Sequence, residues 1–498
     1  VPFAGVAGLL SDSANMTFNG TRLTVADLAD SGLTSGRVTY ASTGGALTDS
    51  ANLLYSGTDL TVYGLTVGRG AGALSQNTAL GISALGGSVT GNFNTALGWN
   101  ALLTNTSGEL NSAVGNSALG LNTTGSRNNA MGQGALYYNT TGSNNTALGH
   151  NALISNTTAS FNTAVGYQAA YSNQTGTGIV AIGNEALFNN TASDNIAIGR
   201  IALYANTSGT GNTAVGPIGT IGTMRYNTTG SFNTALGAGS LAFNTTASNN
   251  TAVGWQAGYS NTTGEYNVAI GSAMGGANSA LYSNTVGGFN VAVGNGALQA
   301  NTTASNNSAV GYRALRSNTT GASNVAFGTS ALDANTTASG NTAVGQVAAF
   351  SNTTGSGITA VGYQVLYANT TGVSNTGIGG ADAANSIPAA LTTNSTGSYN
   401  VAVGTGALKS NTTASASTAV GFQSLYTSTT GTNNSAFGTQ ALRENTTGGS
   451  NTGVGREALY SNTTGSSNTA LGYQAGYVGT TTANNVFVGM QAGYNTSN

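Results

Sequence analysis

The sequence predicts an all-β fold: a parallel β-solenoid or β-roll of about 24 rungs with a 17-residue period, preceded by a small β-rich module. Three observations carry this prediction. First, the composition is not that of an ordinary globular chain, with 76 Gly, 11 Lys plus Arg, 13 Asp plus Glu and no Cys in 498 residues. Its charged fraction of 5% compares with about 25% in typical domains. Second, 39% of residues are apolar and the net charge is only −2, which excludes the disorder signature of high charge with low hydrophobicity. Third, a box of the type [T/V/S/I]-[A/G]-[V/L/I/F/M]-G recurs 24 times, its glycines running from Gly81 to Gly489. Of the 23 intervals between box glycines 19 are 17 residues, and the others are 16 (Gly183 to Gly199), 21 (Gly216 to Gly237), 23 (Gly271 to Gly294) and 25 (Gly379 to Gly404).

Residues 1–76 lack the 17-residue unit and are read as a separate β-rich shaft or attachment module. They hold their own duplication: Leu10 to Val25 (LSDSANMTFNGTRLTV) is matched 37 residues on by Leu47 to Val62 (LTDSANLLYSGTDLTV). Each copy reads as two strands around an N-G or S-G hairpin turn. Residues 77–498 form the array, with the unit N-T-A-V-G-x-x-A-L-x-x-N-T-T-G-S-x, as in Asn145 to Phe161.

Helix is excluded because Gly, N-T-T-G and β-branched Thr and Val cut every copy before it reaches the 10 to 12 residues a helix needs. Within the box, the first and third residues point to one face and the small second residue, replaced once by Phe487, to the other. The Gly supplies a corner, A-L is expected to form a second short strand, and N-T-T-G-S turns the chain back. The box aliphatic and the Leu of A-L are the two large apolar residues expected to make the core. Rungs stacked about 4.8 Å apart give a rod on the order of 115 Å long. Asn, Thr and aliphatic side chains then form ladders, and charge is scarce because a charge in every rung would repel its like along the column. So thin a core favours three coils packed about a common axis, a homotrimer with an aliphatic column buried between chains.

The N-[TVS]-A-[VIL]-G-x-x-A pattern, as in Asn162 to Ala169, resembles the head repeats of trimeric autotransporter adhesins. The likeness covers about residues 77–498, implies a trimeric parallel β-roll, and departs from that family in its longer rung and in lacking a coiled-coil stalk or anchor barrel. The D-S-A-N-[LM] units and Gly64 to Gly72 (GLTVGRGAG) resemble bacteriophage tail fibres, which often carry N-T-A-L-G arrays and end in a self-cleaving chaperone domain. A chain that starts at Val1 and stops inside the array is expected to be processed or truncated. The resemblance implies a fibre on a virion tail or cell surface, outside the cell, whose partners are copies of itself and a host-surface receptor, glycans being one receptor class.

Chemistry of other kinds is not expected. One Lys (Lys409) and ten scattered Arg make no basic patch for nucleic acid, and no apolar run of about 18 residues is present for membrane insertion. His150 sits just after a box glycine, as a corner residue, and the array's eight acidic residues are spread singly along the rungs. No catalytic residues, cofactor or metal ligands are therefore assigned. The repeated N-x-[ST] triplets are read as ladder and turn rather than as glycan acceptors. Receptor contact is assigned to the three enlarged intervals, all entering between a box Gly and its N-T turn and leaving one side of the rod. Their distinctive residues are Met224, Arg225, Tyr226, Met274, Tyr282, Asp382 and Pro388. Aromatic residues after A-L or A-G, such as Tyr171, Phe188 and Tyr204, are expected to stack along the rod. Two further readings stand beside the phage fibre: a bacterial trimeric surface adhesin, and a monomeric solenoid whose Thr ladders bind ice or crystalline polysaccharide.

Overall fold

The computed structural model describes residues 16–18, 23–25, 37–41, 47–55 and 60–495, except 73, 218–220 and 274–277. All regular elements among them are β-strands. The N-terminal duplication folds as two like hairpins: β1 (Met16–Phe18) pairs antiparallel with β2 (Leu23–Val25), and β4 (Leu47–Tyr55) with β5 (Leu60–Val62). β3 (Arg37–Ala41) joins the far edge of β4, and β6 (Leu65–Gly68) joins β5. β6 then pairs antiparallel with β7 (Thr78–Ile82), so the hairpin sheet covers the first edge of the array.

From β7 to β30 (Val486–Val488), 24 strands stack in parallel, each of three residues after β7. Their register places box on box, as in Ala130↔Ala147 and Ala147↔Ala164. It survives every irregular interval: Val180↔Ile196 spans the deletion, and Thr213↔Thr234, Val268↔Val291 and Thr376↔Val401 span the insertions. The chain is thus a parallel β-solenoid of about 24 turns, and a rung can lengthen without disturbing its neighbours.

With positions counted from each box glycine as 0, the rung differs from the expectation in two respects. A-L (positions 3 and 4) is not a strand. Leu at position 4 takes a left-handed backbone in rung after rung, with φ of 51° at Leu102 and 52° at Leu136, which ends extended structure there. Its N–H still bonds along the axis, Leu102 N to Ala118 O at 3.1 Å, so the stacking survives without a second strand. Such a φ costs an L-residue about 1–2 kcal/mol, against about 1.5–3 kcal/mol from burying the Leu completely.

The second correction concerns the core. The box aliphatic at position 16 points outward, and the small residue at position 15 points in: Ala96, Ala147 and Ala326 are fully buried while Leu97 and Phe327 are exposed. The interior is therefore two Ala and one Leu per rung. Even one side chain that does not fit shows the tightness: Phe487 in the Ala column packs where positions 4 of its own and the following rung are Gly476 and Gly493.

Polar side chains fill the rest of the interior as two ladders. Asn at position 7 donates from Nδ2 to the Oδ1 of the Asn one rung earlier, as in Asn122 to Asn105 and Asn139 to Asn122, both 2.8 Å. Each also donates to the carbonyl three residues on, Asn122 to Gly125 at 2.9 Å. Asn at position 13 accepts on Oδ1 from the backbone N–H of its successor, Asn111 N to Asn94 at 3.0 Å, and donates to a carbonyl of the next rung, Asn94 Nδ2 to Gly108 O at 2.9 Å. These buried amides are satisfied almost throughout, which is what permits so polar a core. The position-7 Asn of the N-x-[ST] triplets is accordingly buried and occupied, as at Asn105, Asn318 and Asn335.

Candidate binding surface

The three insertions leave from a single corner. In a regular rung the box glycine carbonyl accepts from the N–H at position 3, Ala101 N to Gly98 O at 3.4 Å. The same bond closes the base of two insertions, Ala280 N to Gly271 O at 3.3 Å and Ala390 N to Gly379 O at 3.0 Å. The extra residues are looped out between its ends. In the third loop a short hairpin forms, Asp382↔Ile387, and Asp382 accepts from Asn385 at its backbone N (3.2 Å) and its Nδ2 (2.7 Å). These bonds hold the Asp382 carboxyl below the usual carboxylate range, the side-chain bond first.

The candidate residues do not form one site. Met224 is a correction: it occupies the position-4 Leu place, fully buried with φ of 47°, because the longer rung still needs one large core side chain there. Arg225 and Tyr226 follow on the outside, with the guanidinium 5.2 Å from the ring centroid, and Tyr226 stacks on Phe243 at 5.1 Å. Tyr282 stacks on Tyr259 at 5.1 Å, and burial together with the neighbouring Tyr282 and Tyr226 raises the Tyr259 hydroxyl pKa. Asp382 and Pro388 stand at the loop corner, half-buried, and Met274 lies outside the described residues.

The column at position 5 behaves as expected for axial stacking. Tyr171, Phe188 and Tyr204 stack at 5.0 and 5.2 Å, and Tyr460, Tyr477 and Tyr494 at 5.1 and 5.0 Å. Ring faces used this way are unavailable to a sugar, so only edges and hydroxyls face a ligand. The column also shows how the rod admits charge. Arg443 lies between two rings, 5.5 Å from Tyr426 and 5.6 Å from Tyr460, and pairs with Glu444. Asp333, 2% exposed, sits against Arg316 at 3.0 Å and Arg313 at 3.1 Å, the latter an ion contact without hydrogen-bond alignment. Each of these charges has a ring or an opposite charge beside it, and the two like charges Arg313 and Arg316 share Asp333 between them.

The strand face, whose box aliphatic residues the sequence placed in the core, is a further surface feature. The outward residues of the 24 strands form a face of two columns: position 14, mostly Thr with some Ser, Val, Ile and one Asn (Asn129), and position 16, an unbroken apolar column of Val, Leu, Ile, Met or Phe. Exposed aromatic residues flank it at position 12 (Phe161, Phe232) and position 1 (Trp99, Trp255). The signal was present in the box itself: the residue that varies between Val and Phe needs open space, and the one that is small in every box but that of Phe487 does not. Among the described residues no three His, Cys, Asp or Glu side chains come together as metal ligands would. No protein family, curated protein or solved structure matches the chain.

The interior ladder also explains most of its own defects. Three unpartnered buried amide oxygens, on Asn173, Asn411 and Asn462, occur where the next rung fails to offer a donor. Ser428 replaces Asn above Asn411, Gly479 replaces it above Asn462, and the 16-residue rung misplaces Asn190 above Asn173. Ser428→Asn is expected to reconnect Asn411 to Asn445 and to stabilise those rungs by about 1–3 kcal/mol, the usual cost of unpaired buried polar groups. Slower amide exchange at 428–448, relative to wild type, checks it.

Proposed function

We propose that the chain is the rod of a trimeric adhesive fibre, of the kind found in phage tails, which holds receptor-binding loops away from its base. The observation that carries this reading is the unpartnered strand face, with its apolar position-16 column, on an unbroken parallel stack. Twenty-four strands of three residues present about 1,100 Å² on that face, against about 800 Å² per partner in a stable interface. The apolar position-16 column makes up about half of that face, at the upper end of the largest apolar patches of about 300–600 Å² on typical soluble monomers. A face-to-face pair would cover the strands but leave the scattered aromatic residues on both flanks in water, whereas three parallel copies about an axis use both flanks. The insertions then stand in threefold array, and weak sites gain avidity from repetition.

The test is sedimentation equilibrium on the 48.8 kDa chain. Wild type is expected to run as a trimer. Combined Leu236→Asp, Phe327→Asp and Phe437→Asp, all in the exposed position-16 column, should give a monomer with unchanged β circular dichroism. A wild-type monomer would remove the fibre reading. That result would favour the solenoid that binds an ordered surface, because Thr at position 9 (Thr124, Thr141, Thr320) forms an exposed column. The position-8 threonines are engaged within the rod, as in Thr123 Oγ1 to Thr140 O at 2.9 Å. Growth inhibition of ice or polysaccharide crystals would then be the assay.

A further inference from the structure

Three independent axial ladders fail at one junction of the rod, between the rung that begins at Gly166 and the rung that begins at Gly183. The position-7 ladder stops at Asn173, whose buried Oδ1 has no partner, because the following rung lacks one Thr and Asn190 turns its Nδ2 to Ala192 O at 2.7 Å. The position-13 ladder stops in the same rung at Ile179, whose backbone N–H donates to Asn162 Oδ1 at 3.1 Å but whose side chain offers no acceptor to the N–H of Asn195. The position-8 backbone series also lapses. It runs Thr140 N to Thr157 O (2.8 Å) and Thr157 N to Gln174 O (3.2 Å), then resumes only at Thr191 N to Thr207 O (3.1 Å).

Elsewhere these interruptions occur singly. Ile358 breaks the position-13 ladder, but Asn369 still donates to Asn352 at 2.8 Å beside it. Ser428 breaks the position-7 ladder, but Thr412 N still reaches Thr429 O at 3.1 Å and Asn434 N reaches Ser417 Oγ at 3.3 Å. The gap at 174–191 is moreover local: past the turn Asp194 N bonds Thr177 O at 2.9 Å and Thr177 N bonds Ser193 Oγ at 3.0 Å, and the opposite side is intact. Strand pairing continues through Val180↔Ile196, and Ala170 N bonds Ala186 O at 2.9 Å on the A-L side. The stacked trio Tyr171, Phe188 and Tyr204 spans the junction next to the gap.

We infer that this notch is a built-in joint of the rod, at which the N-T-T edge opens while the strand side and the aromatic trio hold the two segments together. Local opening is cheapest where fewest axial bonds must break, and the ladders on either side make stiff segments that meet there.

Hydrogen–deuterium exchange on the full chain tests the inference. The amides of 173–176 and 191–195 are expected to exchange at least about 10-fold faster than those of the equivalent edge at 318–321 and 335–338. Two repairs are expected to slow them: one Thr inserted between Thr191 and Ala192, which restores the 17-residue rung, and Ile179→Asn, which restores an acceptor for Asn195. Phe188→Ala is expected to speed exchange at the notch, whereas Phe350→Ala, in a stack beside intact position-7 and position-8 ladders, leaves 335–338 unchanged. Equal exchange at the two edges in wild type overturns the joint. So does unaltered notch exchange in both repaired chains, each shown to be folded by circular dichroism.

Discussion

Gly328→Ala is expected to unfold the rungs around it, with a loss of more than about 3 kcal/mol of local stability. A Cβ at this box glycine would lie 2.5 Å from the Gly345 carbonyl oxygen and 2.6 Å from its carbon, so the obstacle is the backbone of the next rung. The backbone there has φ of +139°, a region open to glycine alone. Relief would require the rungs to part, which forfeits their axial bonds. Gly340→Ala is the matched control. It sits at position 12, where other rungs carry Ser323, Asn306 or Phe289 at similar φ, and its Cβ would meet nothing within 4 Å. Its cost is expected to be about 1 kcal/mol. Exchange protection at 325–345, compared across the two variants, decides the matter.

Asn335→Ala is the second large effect, expected at about 3–5 kcal/mol because several buried partners lose their bonds together. Asn335 Nδ2 donates to Asn318 Oδ1 at 2.8 Å and to Ala338 O at 3.0 Å, and its Oδ1 accepts from Asn352 at 3.0 Å. Truncation strands an oxygen below and an amide above. Thr337→Ala, two residues away on the exposed edge, is expected to stay within about 0.5 kcal/mol. Urea titration followed by exchange at 318–352 should separate the two. Equal, small effects would mean that the ladder is decoration rather than support.

How far the fold could be foreseen follows from which features repeat. The 17-residue period, the parallel stack, the Asn ladder and the aromatic column all depend on like residues falling over like residues, a consequence of the period alone. The conformation inside a rung does not follow from the period. Nothing in Ala-Leu announces that Leu102 or Leu136 takes a left-handed φ, since that choice is imposed by closing a 17-residue turn on so small a core. The direction of the box residues was misjudged for a related reason: Val and Leu are ordinarily core residues, yet a core of Ala, Leu and buried Asn leaves no room for a second large column. Of the candidate residues, the loop corner was correctly shared by all three insertions. Met224 was misread because its unusual identity drew more weight than its place, four insertion residues past the regular Leu position.

The asparagine ladder has a direction. Every position-7 link runs from the Nδ2 of a later rung to the Oδ1 of an earlier one, through five residues from Asn105 to Asn173 and thirteen from Asn190 to Asn411. Aligned amides add their dipoles as the peptide units of a helix do. Each run is therefore a small electret, and the stranded oxygens on Asn173, Asn411 and Asn462 are its negative poles, all turned toward the C-terminal side. A rod so built is electrically distinguishable end from end, even though it carries almost no net charge.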